Sequence, residues 1–413
     1  MGRDYRISGP QNLFMTLLLP RRKFYLVSYL LAMTFCNLFM AGDVVSRLRN
    51  GYQDFTIYYT GALLLRHGEA SKLYGLATQY QTQLTFTSVP IRQGALPYNH
   101  PPFEALLFVP FTLLGYWPAY LLWTALSLVM VGLSIWLLRK QFPQLAAVSP
   151  LILGLGASAF FPVVLGIIHG QDEVFLEFLL VLAFICLDRG NDAAAGAFLA
   201  AGLFRPHLAV PLAVLLAVRR WRIVLGFAPV AFVLAGISVL LTGWRGQIDY
   251  VRFVFLVERS RIGSYGPPAI PNIRGLILGW QGLSVPSPFM GFVVFVTSAV
   301  VFLVALFRIR NGRDSIVFAG CLATVTTILV SFHALCYDFT LLLPLIFFLL
   351  ASTASGQRRE IDAQTVLLLI LLFLTPLYVY LLLASGKYFL VGFILLWLYV
   401  RLVLTPAPAE VPV

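Results

Sequence analysis

Apolar runs separated by short basic clusters set the expected fold. The runs cover about 24–41, 117–138, 150–168, 173–187, 193–204, 208–218, 223–241, 288–307, 315–331, 339–351, 363–383 and 388–400. Crossing roughly 30 Å of hydrocarbon takes about 20 helical residues, and fewer where protein shields the segment. Basic residues recur at Arg21 to Lys23, Arg139-Lys140, Arg189, Arg219 to Arg222, Arg308 to Arg313, Arg358-Arg359 and Arg401. Lys and Arg mark the cytoplasmic face. Neighbouring clusters leave apolar length for one excursion out and one back. The pattern predicts an all-α polytopic protein with about twelve transmembrane helices and both termini in the cytoplasm. The whole chain, 1–413, reads as one integral membrane domain.

Some stretches depart from this rhythm. The run 103–114 is short for a span, and counting it would turn later basic clusters outward, so it reads as a half-length helix on the outer side. The pair 193–204 and 208–218 reads as a bent hairpin with Arg205-Pro206-His207 at its apex. Pro206 lacks an amide hydrogen and disfavours helix at the residue before it. The longest polar interruption, 42–102, is expected to be a large first outer loop, and 242–287 a second one. The tail 405–413, with three prolines, is expected to be disordered. The first run follows a basic cluster with no cleavage site and reads as a retained anchor.

Composition agrees with lipid as the main solvent. The chain is 60% hydrophobic and 11% charged, with a mean hydropathy of +0.87. A soluble protein carries about 25% charged residues. The net charge of +12 therefore points to membrane topology and lipid headgroups rather than nucleic acid. The four cysteines have neither metal spacing nor a paired pattern, and no acidic cluster or phosphate loop suggests a metal or nucleotide cofactor.

The unusual polar residues collect in the predicted outer segments. Asp54 begins an expected helix, with Tyr58 four residues on and on the same face. Asp54 suits either a general base, with Tyr58 lining its pocket, or a plain N-cap. His100 precedes two prolines on a stiff loop and can donate to a phosphate or sugar oxygen, or simply pack beside Tyr98. Gln171 and Asp172 stand at a helix start, which favours an anionic ligand or a capping role. Arg205 interrupts an apolar stretch, where a charge costs about 2.5–3.5 kcal/mol, and its guanidinium suits phosphate. His333 and Asp338 share one outer turn and can bind substrate or each other. Arg274 is one of several arginines in 242–287 suited to a lipid phosphate.

Taken in order, Asp54-Phe55-Thr56-Ile57-Tyr58-Tyr59, Tyr98-Asn99-His100-Pro101-Pro102-Phe103, Gly170-Gln171 and Leu203-Phe204-Arg205-Pro206 resemble glycosyltransferase family 87. This is a GT-C-type family that includes polyprenyl-phosphate-mannose-dependent mannosyltransferases. The family's usual Lys-Pro is Arg205-Pro206 here, and the stretch around Arg274 matches less well. The resemblance implies a GT-C fold in the bacterial inner membrane with an extracytoplasmic site. It implies Asp54 as base, His333 near the site, a polyprenyl-phosphate-sugar donor and inversion at the anomeric carbon. The acceptor would be a glycolipid or glycan. A transporter of lipid-linked sugar and a non-catalytic envelope subunit are the rival readings.

Overall fold

In the computed structural model, residues 10–48, 53–87, 96–260, 266–282, 287–312, 315–354 and 363–404 are described. The tail 405–413 and Arg358-Arg359, for which the sequence raised expectations, lie outside them. The helices are α1 (Pro10–Leu48), α2 (Phe55–Arg66), α3 (Leu76–Leu84), α4 (Pro102–Phe108), α5 (Tyr116–Gln141), α6 (Pro143–Ala146), α7 (Pro150–Ala159), α8 (Phe161–His169), α9 (Glu173–Asp188) and α10 (Asp192–Ala201). They continue as α11 (Pro206–Ala217), α12 (Ile223–Ser260), α13 (Ile273–Leu278), α14 (Pro288–Asn311), α15 (Ile316–Val330), α16 (Leu343–Ala354), α17 (Ala363–Phe373), α18 (Thr375–Val379) and α19 (Gly392–Leu404). Among the described residues there is no strand.

Proline and short polar side chains set many of the starts. Proline stands at the first position of α4, α7, α11 and α14 and at the second of α8 and α18, where the missing amide hydrogen costs nothing. Asn191, Ser287 and Ser315 accept hydrogen bonds from the backbone N–H groups of Ala194, Met290 and Phe318, satisfying amides that the helix leaves open.

Every expected apolar run becomes helical, but the count of about twelve full spans does not follow. Among the described residues, four helices are long and apolar enough to cross a membrane: 23–42 within α1, α5, α12 and α14. The number is six if two bent pairs each count as one span, 150–169 with a 69° bend and 366–384 with a 52° bend. The physical reason is shielding. The 15 residues of α15 are nearly all buried against other helices, so protein rather than bilayer thickness sets its length.

The segments 42–102 and 242–287, expected to be outer loops, are more helical than that in their described residues. Helix α12 is two helical parts joined by a kink at Gly243, where φ is +70°, and its second part reaches Ser260. Its far part packs onto the first outer segment, with Tyr250 and Phe253 against the ring of Tyr74. Within 53–123, Phe55, Tyr58, Tyr98, Phe108, Tyr116 and Trp123 form a separate buried aromatic cluster. Rings bury large areas and pack edge to face, so this cluster fixes α2, α4 and the start of α5 as one unit. The run 103–114 is α4 followed by a 3₁₀ turn at Val109–Leu113, packed on α2. That matches the half-length helix expected there. The hairpin of α10 and α11 breaks at Arg205, also as expected.

Candidate active site

Three chain breaks converge to build the site. One is the start of α2. Asp54 holds the N-cap position, but its side chain makes no capping bond. Instead its Oδ2 accepts a short hydrogen bond from Gln171 Nε2 and lies 3.6 Å from His169 Nδ1. The capping reading of Asp54 is therefore not what the side chain does.

The second break is the turn from α8 to α9. Gly170 adopts φ +64°, and a Cβ there would stand 2.8 Å from the Cβ of Phe55, so only glycine fits. The sharp turn presents Gln171, Asp172 and Glu173 in succession. Asp172 also occupies an N-cap position without capping the helix.

The third break is Arg205, 6% exposed. Its Nε donates to Asp172 Oδ1 at 2.9 Å, and its Nη2 donates to the same oxygen at 2.6 Å and to Gln171 Oε1 at 2.7 Å. The same Nη2 lies 2.5 Å from Glu173 Oε1 and 3.1 Å from the Tyr58 hydroxyl. Tyr58 in turn donates to Gln171 Oε1 at 2.6 Å. Gln171 is thus oriented from both ends: its oxygen accepts from Tyr58 and Arg205, and its nitrogen donates to Asp54. Burial works to raise the Asp172 carboxyl, but the Arg205 guanidinium outweighs it and holds the group well below the usual carboxylate range.

The loop carrying His100 is fixed by two glutamines one helical turn apart on α3. Gln79 Oε1 accepts from the Tyr98 N–H at 2.8 Å, while Gln83 pairs with both backbone groups of Leu96 at 2.7 and 3.0 Å. The Tyr74 hydroxyl donates to the His100 carbonyl at 2.8 Å. These bonds satisfy an extended backbone that has no sheet partner. Burial, then Arg205, lowers the His100 imidazole to about 3, so it is neutral at pH 7. Its Nδ1 lies 2.9 Å from Glu104 Oε2.

Two cavities meet at Asp54. The polar one is lined by Asn99, His100, Gln171, Arg205, His207, Tyr250, Glu258 and His333, among others. The apolar one is lined chiefly by Met40, Ala41, Phe161, Val164, Leu165, Ile168, Leu382 and Leu383. Asp54, Leu335 and Tyr337 line both.

Of the residues singled out in the sequence, Asp54, His100, Gln171, Arg205 and His333 come together on these walls. Tyr58, Arg274 and Asp338 do not line either cavity. Tyr58 is fully buried behind Gln171. Arg274 ties two outer segments together: it donates to the Phe332 carbonyl at 2.9 Å and pairs with Glu258. Asp338 Oδ2 accepts from the Leu335 N–H at 2.5 Å, closing its own turn instead of meeting His333. His333 Nδ1 lies 3.8 Å from Glu258 Oε2. Glu104, Glu173 and Glu258 were not singled out, although the four-residue step from His100 to Glu104 was a usable signal. His100, Glu104 and Asp172 also form a group with spacing suited to a metal ion.

The sequence model of glycosyltransferase family 87 matches residues 98–332, more than half of the 413 residues. The match includes His100, Gln171 and Arg205, starts after Asp54 and ends one residue before His333. No curated protein sequence matches the chain.

Proposed function

This membrane protein belongs to glycosyltransferase family 87, and we propose that it moves a hexose, mannose in the first instance, from a polyprenyl-phosphate-sugar to an acceptor hydroxyl. The acceptor is a glycolipid or glycan. Asp54 is the general base, and direct displacement inverts the anomeric carbon. The observation that carries this reading is the place of Asp54, on the seam between a polar and an apolar cavity. Such a seam suits a donor with a greasy tail and a sugar-phosphate head.

The prenyl chain enters the apolar cavity beside α1 and α8. The sugar and acceptor occupy the polar one. Both described contacts of Asp54 fall on Oδ2, which leaves Oδ1 to take the proton of the attacking hydroxyl. A positioned base is worth about 10²–10⁴-fold in rate. The leaving phosphate is already anionic and needs little protonation. Arg205, held rigidly on the cavity wall by Asp172 and Gln171, stabilises the growing charge as a preorganised dipole does. The site faces the extracytoplasmic side in this reading, which the basic-cluster pattern supports, and the family resemblance suggests a bacterial inner membrane.

The test is Asp54→Asn, assayed with polyprenyl-phosphate-mannose and a lipid or glycan acceptor in detergent. Transfer is expected to fall at least about 100-fold while the thermal unfolding temperature stays close to wild type. Near-wild-type turnover would remove Asp54 from the base role.

A further inference from the structure

A polar cluster runs from the wall of the polar cavity, where His100 stands, to Glu104 and Asp172 behind it. His100 comes from the loop before α4, Glu104 from the first turn of α4, and Asp172 from the turn between α8 and α9. One metal-ligand type of atom from each lies within 4.8 Å of the other two. All three side chains are buried, at 8%, 1% and 1% exposure. Their hydrogen bonding is incomplete in the same place. Asp172 Oδ1 is taken by Arg205 and Tyr58, while Asp172 Oδ2 and Glu104 Oε1 find no hydrogen-bond donor. The Glu104 and Asp172 carboxyls face each other within hydrogen-bond reach, a contact that takes a shared proton or a cation. His100 Nδ1, close to Glu104 Oε2, makes no aligned hydrogen bond either.

Charge points the same way. Arg205 faces Asp172 and Glu173 directly, and Glu104 stands next to Asp172. One guanidinium therefore opposes three buried carboxyl groups. Buried carboxyls of one sign stay together only with a further cation or a shared proton.

We infer that His100, Glu104 and Asp172 bind one divalent first-row cation, such as Mn²⁺ or Zn²⁺, which clamps the first outer segment to the α8–α9 turn. One imidazole with two carboxylates suits such an ion, whereas Mg²⁺ and Ca²⁺ favour oxygen alone. Three ligand atoms about 2.0–2.2 Å from one Zn²⁺ stand roughly 3.3–3.8 Å apart, so a pair at the 4.8 Å limit of this group would close by about 1 Å on the ion. An ion on Nδ1 would also fix the His100 proton on Nε2, making the ring a hydrogen-bond donor. His100 lines the polar cavity, so the clamp would set the tautomer of a residue on the wall where substrate is proposed to bind.

The full chain, purified in detergent without a polyhistidine tag and dialysed, is analysed for Mn²⁺ and Zn²⁺ by mass spectrometry. Its thermal unfolding is then followed with and without EDTA. About one equivalent of metal per chain is expected, with Tm falling by about 5 °C in EDTA and returning when Mn²⁺ or Zn²⁺ is added. Glu104→Gln and His100→Ala are expected to lose the metal and the EDTA response. Metal below ~0.1 equivalent in the wild type, with Tm unmoved by EDTA or added ion, overturns the proposal in favour of a proton shared by Glu104 and Asp172. Full metal retention in both variants overturns it too, because the ion then lies elsewhere. Should either variant fail to fold, the wild-type metal content and EDTA response decide. None of these readouts uses sugar transfer, so the inference can fail without touching the role of Asp54, and the reverse.

Discussion

Helices α14 and α15 are neighbours in sequence and pack against each other, yet they answer to different solvents. The first has 24 residues, of which Ala305 and Ile309 are buried. The second has 15 residues and buries everything from Ala319 to Leu329. On the perimeter, lipid sets helix length and demands an unbroken apolar surface. In the interior, neighbouring helices do both jobs, so a helix can stop early and leave polar groups at its end. The candidate site is built from such early stops: the start of α9 at Glu173, the break at Arg205 and the turn after α15 that carries His333.

The sharpest way to break that comparison is to remove the charge at its centre. Arg205→Leu leaves Asp172 and Glu173 buried without their guanidinium. Breaking a buried pair by removing one partner costs about 3–5 kcal/mol, whereas an exposed pair is worth about 0–1. We expect strongly lowered Tm and yield together with loss of transfer. A Tm within a degree or two of wild type would mean that the acids are screened by some other route, and the interior would then differ little from the surface.

A milder probe is acid. Burial, then Arg205 and Arg274, lowers the His333 imidazole to about 4, so it is neutral in the folded protein at pH 7. An unfolded histidine titrates near 6.5. Between about 6.5 and 4 the unfolded state therefore binds the proton more tightly, and stability falls as pH falls through that window. A quarter of the side chain is exposed, so the effect is expected to be about 1 kcal/mol rather than the full linkage value. Thermal unfolding at pH 7 and pH 5 reads it, and His333→Gln should reduce the difference, with His100, which is lowered too, supplying part of the remainder. An unchanged slope in that variant would assign the acid sensitivity to other groups.

What the sequence could reveal follows the same division. Gln171 and Arg205 stand out because they interrupt apolar sequence, where lipid tolerates few polar residues, and Asp54 because it opens an expected helix within the longest polar stretch; all three line the polar cavity. Glu104 and Glu173 stand in the first turns of helices, where an acid looks like an ordinary complement to the helix dipole. Their partners are far away in sequence, and only the converging chain breaks bring Glu173 to Arg205 and Glu104 to Asp172. Glu258 was hidden because 242–287 read as loop, whereas α12 carries it onto the cavity wall. Tyr58, Arg274 and Asp338 illustrate the converse. Each is polar in an apolar setting, but local hydrogen bonds turn it into the scaffold, a choice that depends on neighbours no periodicity encodes. The count of about twelve spans is not confirmed by helix length, because hydropathy registers apolar content without registering whether lipid or protein lies outside it.

The smallest expected effect gives the comparison its zero. Leu240 on α12 is 87% exposed, while Leu322 on α15 is 1% exposed. Truncating a packed leucine leaves a cavity and costs about 2–5 kcal/mol. Truncating one that faces lipid or detergent leaves none, because the solvent fills the space. Leu240→Ala should therefore shift stability by no more than about 0.5 kcal/mol, with Leu322→Ala measured beside it in the same detergent. A loss at Leu240 approaching that at Leu322 would place protein against the outer face of α12. The perimeter would then obey the packing rule of the interior, and helix length alone would no longer separate the two classes.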